Sequence, residues 1–159
     1  MAKQQENGGG IKVLADNRKA RFNYSVEDTL ECGIELQGTE VKSVRNGKFS
    51  FADSYARVVR GELYLFSFHI APYDFGNIYN HEPDRDRRLL AHKQEIKRLQ
   101  RRVDEKGFTL VPLKVYLKKG MVKILIGICR GKQVQDKRQA IKDRGLKREA
   151  ERQIRDSLR

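Results

Sequence analysis

The sequence predicts a mainly β protein: an antiparallel closed barrel with two to three helices and a basic C-terminal tail. Three observations predict this fold. Apolar and polar residues alternate over short stretches, turn dipeptides join such stretches as hairpins, and no regular strand–helix–strand alternation is present. Five or six strands joined by hairpins or longer loops, with helices between them, fit a barrel of the oligonucleotide-binding (OB) type.

The first predicted strand is long and half-buried. It follows a leader over residues 1–10, expected to be flexible, and a polar loop or short helical turn at 16–21. From Phe22 to Leu36 apolar and polar residues alternate, with a bulge expected near Asp28, and Glu31 falls on the solvent face. A short helix is then predicted over 38–47, with Thr39 as its cap.

Two hairpins account for most of the remaining strands. The first pairs 54–59 with 62–70 about Arg60-Gly61, and the second pairs 109–117 with 121–129 about Lys119-Gly120. Pro112 has no N–H to donate to a neighbouring strand, which favours an edge position for its strand.

Between the hairpins the sequence predicts a helix that starts at Asp84 or Asp86 and ends near Val103. Basic residues outnumber acidic ones by eight to two over 85–103, an excess that indicates phosphate contacts. The predicted apolar stripe contains a histidine, for which partial burial is the usual case. Its members are Leu89, His92, Ile96, Leu99 and Val103.

The C-terminal segment, residues 132–159, carries ten basic side chains against five acidic ones. Its apolar residues, among them Leu146 and Ile154, form a stripe too weak to hold a helix on a core, and Gly145 weakens the helix further. Since an isolated helix of this length is marginal in water, we expect a tail that is disordered when free and helical on an anionic partner.

The composition limits the classes of function. With 159 residues, a net charge of +13 and a sequence pI of about 9.9, the chain suits one domain with extensions and a nucleic-acid partner, or less often an anionic membrane surface. No signal segment or bilayer-spanning run is seen, so a cytoplasmic protein is expected. Cys32 and Cys129 are expected to be reduced core thiols rather than metal ligands.

No catalytic motif stands out. The histidines are His69, His81 and His92, none in an HExxH pattern, and no phosphate-binding loop or GxSxG is present. The sequence therefore predicts no enzyme, cofactor or metal.

Eight short stretches, taken in their order and spacing, carry a specific resemblance over almost everything from about Ile11 onward. They are Asn17–Arg21, Glu31–Arg45, Asp53–Tyr55, His69–Tyr73, Arg87–Lys93, Thr109–Leu113, Gly131-Lys132 and Asp136–Arg138. In these stretches the chain resembles the SsrA-binding protein family, also called small protein B.

The resemblance implies an OB-like barrel over 11–131 that binds the tRNA-like domain of transfer-messenger RNA. It also implies delivery of that RNA, with elongation factor Tu and GTP, to stalled ribosomes for trans-translation, in which the RNA supplies alanine and a degradation tag. A monomer that contacts no membrane is expected. The basic tail over 132–159 is expected to lie in the vacant mRNA channel and decoding centre.

The family's RNA-contacting positions fall on Asn17, Glu31, Leu90 and His92. Asn17 could contact a base edge, Glu31 could accept from a base amino group or a 2′-hydroxyl, and His92 could stack on a loop base. With basic neighbours, the predicted RNA-binding residues are Asn17, Arg18, Lys19, Arg21, Glu31, Lys42, Arg45, Leu90, His92, Lys93 and Lys132. The predicted ribosome-acting residues of the tail are Gln135, Asp136, Lys137, Arg138 and Ile154.

Two alternatives stay open. The first is a general single-strand binder or ribosomal protein, although the sequence lacks an evident run of exposed stacking aromatics. The second is a small metal-independent nuclease that uses His92 with Glu95.

Overall fold

A computed structural model describes residues 10–76, 80–131 and 134–157, in which nine strands and four helices are found. The strands are β1 (Ile11–Asp16), β2 (Tyr24–Ile34), β3 (Phe49–Ser50), β4 (Tyr55–Val59), β5 (Glu62–Phe66), β6 (His69–Ile70), β7 (Arg87–Leu90), β8 (Thr109–Lys118) and β9 (Met121–Gly131). The helices are α1 (Arg18–Asn23), α2 (Gly38–Arg45), α3 (Lys93–Lys106) and α4 (Val134–Ser157).

Seven strands form one antiparallel sheet in the order β1-β8-β4-β5-β7-β2-β9, and β8 also pairs with β9. The strands from β8 round to β9 therefore close a ring, and β1 is added to β8. The ring is uneven, because β2 and β9 pair over most of their length whereas the ladder between β4 and β8 has the single pair Ala56–Leu110. The predicted mainly β, antiparallel architecture is confirmed.

The turns and the bulge lie where the sequence predicts them. Arg60 and Gly61 have φ values of 52° and 77°, and Lys119 and Gly120 have values of 51° and 78°. Two successive residues with positive φ are typical of tight hairpin turns. The pairing of β2 with β9 shifts register between Val26 and Asp28, which confirms the predicted bulge.

Three local predictions are wrong. Phe22 belongs to α1, so the long strand starts at Tyr24. The N-cap of helix α2 is Gln37 and not Thr39, and the Gln37 backbone N–H donates to the Glu40 carboxylate at 2.8 Å. Strand β8 is not an edge strand, and the missing N–H of Pro112 is tolerated because the register with β9 shifts between it and Lys114.

The helix predicted from Asp84 or Asp86 is also wrong over its first part. Residues 87–90 form β7, in which Arg87 and Leu89 are buried while Arg88 and Leu90 are exposed. The helix begins only at Lys93. Because β7 pairs with both β5 and β2, its strand conformation is set by neighbours distant in sequence.

The core lies inside the ring. It is built mainly from inward-facing aliphatic side chains of the strands, and both cysteines are buried and free, as expected. Burial raises the pKa of Cys32 to about 12 and that of Cys129 to about 11, so both thiols stay protonated at neutral pH.

Helix α4 is exposed along its described side chains and meets the barrel at α1. The Arg144 guanidinium lies 5.3 Å from the centroid of the Phe22 ring. Ile141, Leu146 and Ile154 are each exposed by 58–60%. That the tail orders only on a partner stays a prediction. None of the described helices combines the length and apolar composition that a bilayer span requires.

Candidate RNA interface

The structure brings three of the predicted RNA-binding residues, Glu31, Leu90 and His92, together around one open cleft of about 590 Å³. The cleft lies between β2, the end of β7 and the start of α3, and β9 contributes one residue. A cleft of this size is in the range that holds small organic groups. The remaining lining residues are Thr29, Leu30, Gly33, Ala91, Glu95 and Lys123.

Glu31 is held in the cleft wall as a hydrogen-bond acceptor. The Tyr116 hydroxyl donates to Oε2, and Lys118 Nζ donates to Oε1 at 3.2 Å. The hydrogen bond from Tyr116 lowers the pKa of Glu31, aided by Lys118 and opposed by partial burial. Burial and the same hydrogen bond raise the pKa of Tyr116. At neutral pH Glu31 is therefore ionised and can only accept, from a base amino group or a 2′-hydroxyl for example.

Leu90 is exposed beside a glycine on the paired strand. Leu90 pairs with Gly33 and is 48% exposed. A Cβ added at Gly33 would lie 3.2 Å from the Leu90 Cβ, which is tighter than ordinary van der Waals contact. Gly33 therefore allows β7 to approach β2 closely, and Leu90 supplies an apolar surface at the mouth of the cleft.

His92 precedes α3 and is exposed, so the expectation of a partly buried histidine is wrong. Its backbone N–H donates to Glu95 Oε2 at 3.2 Å, which satisfies one free donor of the helix start. The exposed ring lines the cleft, where it could stack on a base. Glu95 has a structural role in this arrangement, which does not favour a His92–Glu95 nuclease pair.

Lys123 is a cleft residue that the sequence did not single out. It lies on β9 opposite Gly33 and adds a positive charge next to Leu90 and His92. The alternation along β9 could have identified it, because Val122 and Ile124 face inward and place Lys123 on the outer face.

Helix α2 carries two predicted residues, and neither lines the cleft. Arg45 Nη2 donates to the carbonyl of Gly120 at 2.9 Å, and Gly120 lines a depression of about 330 Å³ that shares Gly33, Leu90 and Lys123 with the cleft. The Lys42 ammonium lies 5.2 Å from the ring centroid of Tyr73. Lys93 is exposed in the first turn of α3.

Asn17 does not join the cleft. It is 8% exposed, its Nδ2 donates to the Pro112 carbonyl at 2.8 Å, and its Oδ1 accepts from the Ala20 N–H at 3.2 Å. These bonds cap α1 and attach it to β8, so the geometry favours a structural role for Asn17. A direct base contact by Asn17 stays a prediction.

The basic residues of α1 lie in a second place, together with α4. Arg18, Lys19 and Arg21 line an open depression of about 510 Å³ whose other members are Phe22, Arg144 and Arg148. We call it the α1–α4 groove. Arg21 is paired with Asp16 at 2.9 Å, and no acidic residue is among the lining residues.

The predicted tail residues are only partly described. Arg138 and Ile154 are exposed on α4. Gln135, Asp136 and Lys137 belong to α4, but their side chains lie outside what the structure describes, and Lys132 lies outside the described residues altogether. Among the described residues no group of three or more His, Cys, Asp and Glu side chains could hold a metal ion.

Comparisons with known proteins cover nearly the whole chain. A family model described as "SmpB protein" matches residues 14–156. The chain is 53% identical to the SsrA-binding protein of Staphylococcus haemolyticus, covering 98% of this chain and 99% of that one. It is 51% identical to the SsrA-binding protein of Treponema denticola, covering 91% and 94%.

A solved structure is also similar. It is described as "tmRNA-SmpB: a journey to the center of the bacterial ribosome". It matches with a TM-score of 0.64 and 48% sequence identity, and the match covers 80% of this chain and 93% of that chain.

Proposed function

The chain belongs to the SmpB protein family, and from that premise we propose that it binds transfer-messenger RNA and acts with it on the ribosome in trans-translation. The observation that carries the proposal is the cleft in which Glu31, Leu90 and His92 meet. The relatives are SsrA-binding proteins, and the similar solved structure is described by tmRNA, SmpB and the bacterial ribosome together.

The cleft has the chemistry to hold an unstacked RNA base. Glu31 offers accepting oxygens, Leu90 an apolar surface, His92 an exposed ring and Lys123 a positive charge. Folded RNA is recognised through such unstacked bases, 2′-hydroxyls and phosphates. Exposed basic residues on α2 and α3 would add phosphate contacts whose contribution falls with salt.

We further propose that the bound element is the tRNA-like domain, and that the RNA arrives at stalled ribosomes with elongation factor Tu and GTP. Action on ribosomes would place the chain in the cytoplasm. The tail, with Asp136, Lys137 and Arg138 at its start, would lie in the vacant mRNA channel and decoding centre. A positive helix in a channel walled by ribosomal RNA gains the electrostatic attraction expected for such a partner. In this role the chain binds and delivers RNA and catalyses no reaction.

The test is a competition gel shift at physiological salt between the tRNA-like domain and an unstructured RNA of equal length. We expect strong preference for the tRNA-like domain, and equal affinity would contradict the proposal. His92→Ala should weaken that preference, whereas His69→Ala should not, because His69 pairs with Asp84 at 2.9 Å and does not line the cleft. Labelled RNA should remain intact throughout, and cleavage would instead support the nuclease alternative.

A further inference from the structure

A second pocket lies at the other end of β2 from the cleft, and the two share no lining residue. Its volume is about 280 Å³, and it is formed by α1, the turn before β4 and the start of β8. Tyr24 lines this pocket and Glu31 lines the cleft, so the two sites are roughly 20 Å apart along the strand. One base cannot occupy both.

The pocket contains a buried hydroxyl that lacks a hydrogen-bond partner. Ser54 is 7% exposed, and its Oγ makes no hydrogen bond within the described part of the chain. Its backbone N–H donates to the Phe51 carbonyl at 2.8 Å, so the turn holds the residue in place. Leaving a buried hydroxyl unpaired is unfavourable. Because Ser54 lines the pocket, a bound ligand could supply the missing partner.

The other residues around Ser54 suit a nucleotide. Besides Ser54, the lining includes side-chain hydroxyls, an amide and two aromatic rings, contributed by Asn23, Tyr24, Tyr55 and Thr109. Tyr55 is 41% exposed and stacks on Phe66 with 5.3 Å between ring centroids. Hydrogen-bonding groups beside aromatic rings are the means by which proteins hold unpaired bases.

The charges around the pocket favour a phosphate beside it rather than inside it. Asp53 also lines the pocket, so a phosphate inside would meet a carboxylate, whereas a base amino group could donate to it. Lys19 lines both this pocket and the α1–α4 groove. A base in the pocket would therefore have its phosphate at Lys19 and the adjoining strand along the basic groove.

We propose that the Ser54 pocket is a second RNA subsite that takes one unpaired nucleotide. The inference rests on the proposed function only in naming RNA as the ligand. The subsite would add a contact between the chain and RNA that is separate from the Glu31 cleft. The nucleotide belongs either to transfer-messenger RNA or to ribosomal RNA, and the experiment below has an arm for each.

The test compares two buried serines whose hydroxyls have no partner among the residues that the structure describes. Ser54→Ala removes the hydroxyl in the pocket, and Ser43→Ala removes one in α2 that lines neither the pocket nor the cleft. Affinity of the full chain is measured separately for the tRNA-like domain and for ribosomes with an empty mRNA channel. Loss of one neutral hydrogen bond should weaken binding to one of the two by about three- to tenfold for Ser54→Ala, with Ser43→Ala unchanged.

A crosslinking arm remains informative if Ser54→Ala disturbs the fold. A benzophenone amino acid replaces Tyr55 in one variant and Phe75, which is 80% exposed and outside the pocket, in the other. Crosslinks to RNA from position 55 and not from position 75 are expected, and the RNA recovered identifies the source.

Two results would overturn the subsite: unchanged affinity of a folded Ser54→Ala variant for both RNAs, or no RNA crosslink from position 55. Either would leave the proposed function standing. That function fails separately if the wild-type chain shows no preference for the tRNA-like domain.

Discussion

Glu40 and Arg87 form an ion pair in which neither side chain is exposed, although 47 residues separate them in the sequence. Their other polar atoms are also occupied. Arg85 donates to Glu40 Oε1 at 2.6 Å, and Arg87 Nη1 donates to the carbonyls of Phe68 and Arg85. The pair fixes α2 against β7, and β7 carries Leu90 to the cleft.

Glu40→Gln should destabilise the protein strongly. The substitution keeps the shape but leaves the buried Arg87 guanidinium without its counter-charge, and breaking such a pair costs about 3–5 kcal/mol. Urea unfolding at pH 7 measures the free energy of unfolding. Glu62→Gln is the matched control, because its pair with Arg88 is 38% and 46% exposed and should contribute less than about 1 kcal/mol. An equal loss of unfolding free energy in the two variants would show that burial does not strengthen the contribution of the Glu40–Arg87 pair.

The stabilisation by Glu40 should depend on pH in a defined direction. Burial alone would raise the pKa of Glu40, but the hydrogen bonds from Arg85, the Gln37 N–H and Arg87 outweigh it and lower that pKa below 4.5. A lowered folded-state pKa gives stability that is complete above the unfolded value and is lost as pH falls through the folded one. Unfolding of wild type and Glu40→Gln between pH 7 and pH 3 should give a difference that is constant above about pH 5 and shrinks below it. A difference that grows on acidification would contradict this.

Glu31→Ala should weaken binding of the tRNA-like domain although it removes a negative charge. A hydrogen bond to an ionised acceptor contributes about 1.5–3 kcal/mol, so a loss of tenfold or more is expected. Glu27→Ala is the control, since Glu27 is an exposed carboxylate of the same strand outside the cleft, and it should bind equally or more tightly. Filter binding at fixed salt measures both. Tighter binding by Glu31→Ala would make Glu31 an ordinary solvated residue.

Ending the chain after Gly131 should leave binding of transfer-messenger RNA largely intact and abolish tagging on stalled ribosomes. The cleft is built without residues of α4, whereas the tail is the segment proposed to act in the mRNA channel. The truncation also removes Arg144 and Arg148, two basic residues of the α1–α4 groove. With fewer phosphate contacts, the affinity for RNA should fall less steeply as salt is raised. Gel shifts and a tagging assay in extract measure the two properties, and loss of RNA binding would refute the division.

Much of the ring could be predicted because its signals are local. The bulge of β2 and the two hairpins with positive φ at Arg60-Gly61 and Lys119-Gly120 follow from alternation and turn chemistry within a few residues. Grouping Glu31, Leu90 and His92 in one site came from the family resemblance. Periodicity alone would not have brought β2 and β7 together.

The missed features depend on distant partners. Strand β7 looked helical because Leu89 and His92 continue the stripe of α3, yet Arg87 is buried through Glu40 and the chain pairs with β5 and β2. The capping role of Asn17 was also missed, because the Pro112 carbonyl to which its amide donates lies 95 residues away. Such tertiary contacts override local propensity, and residues at sites defined by them are the hardest to assign from sequence.

The single Ala56–Leu110 bridge between β4 and β8 makes this the junction at which the ring can part with the smallest loss of backbone pairing. The Ser54 pocket lies at that junction, since Tyr55 and Thr109 are the immediate neighbours of the bridged residues. Breathing of the β4–β5 hairpin would thus alter the width of the pocket, whereas Glu31 is held in the long β2–β9 ladder. The pocket would then change its width without displacing Glu31.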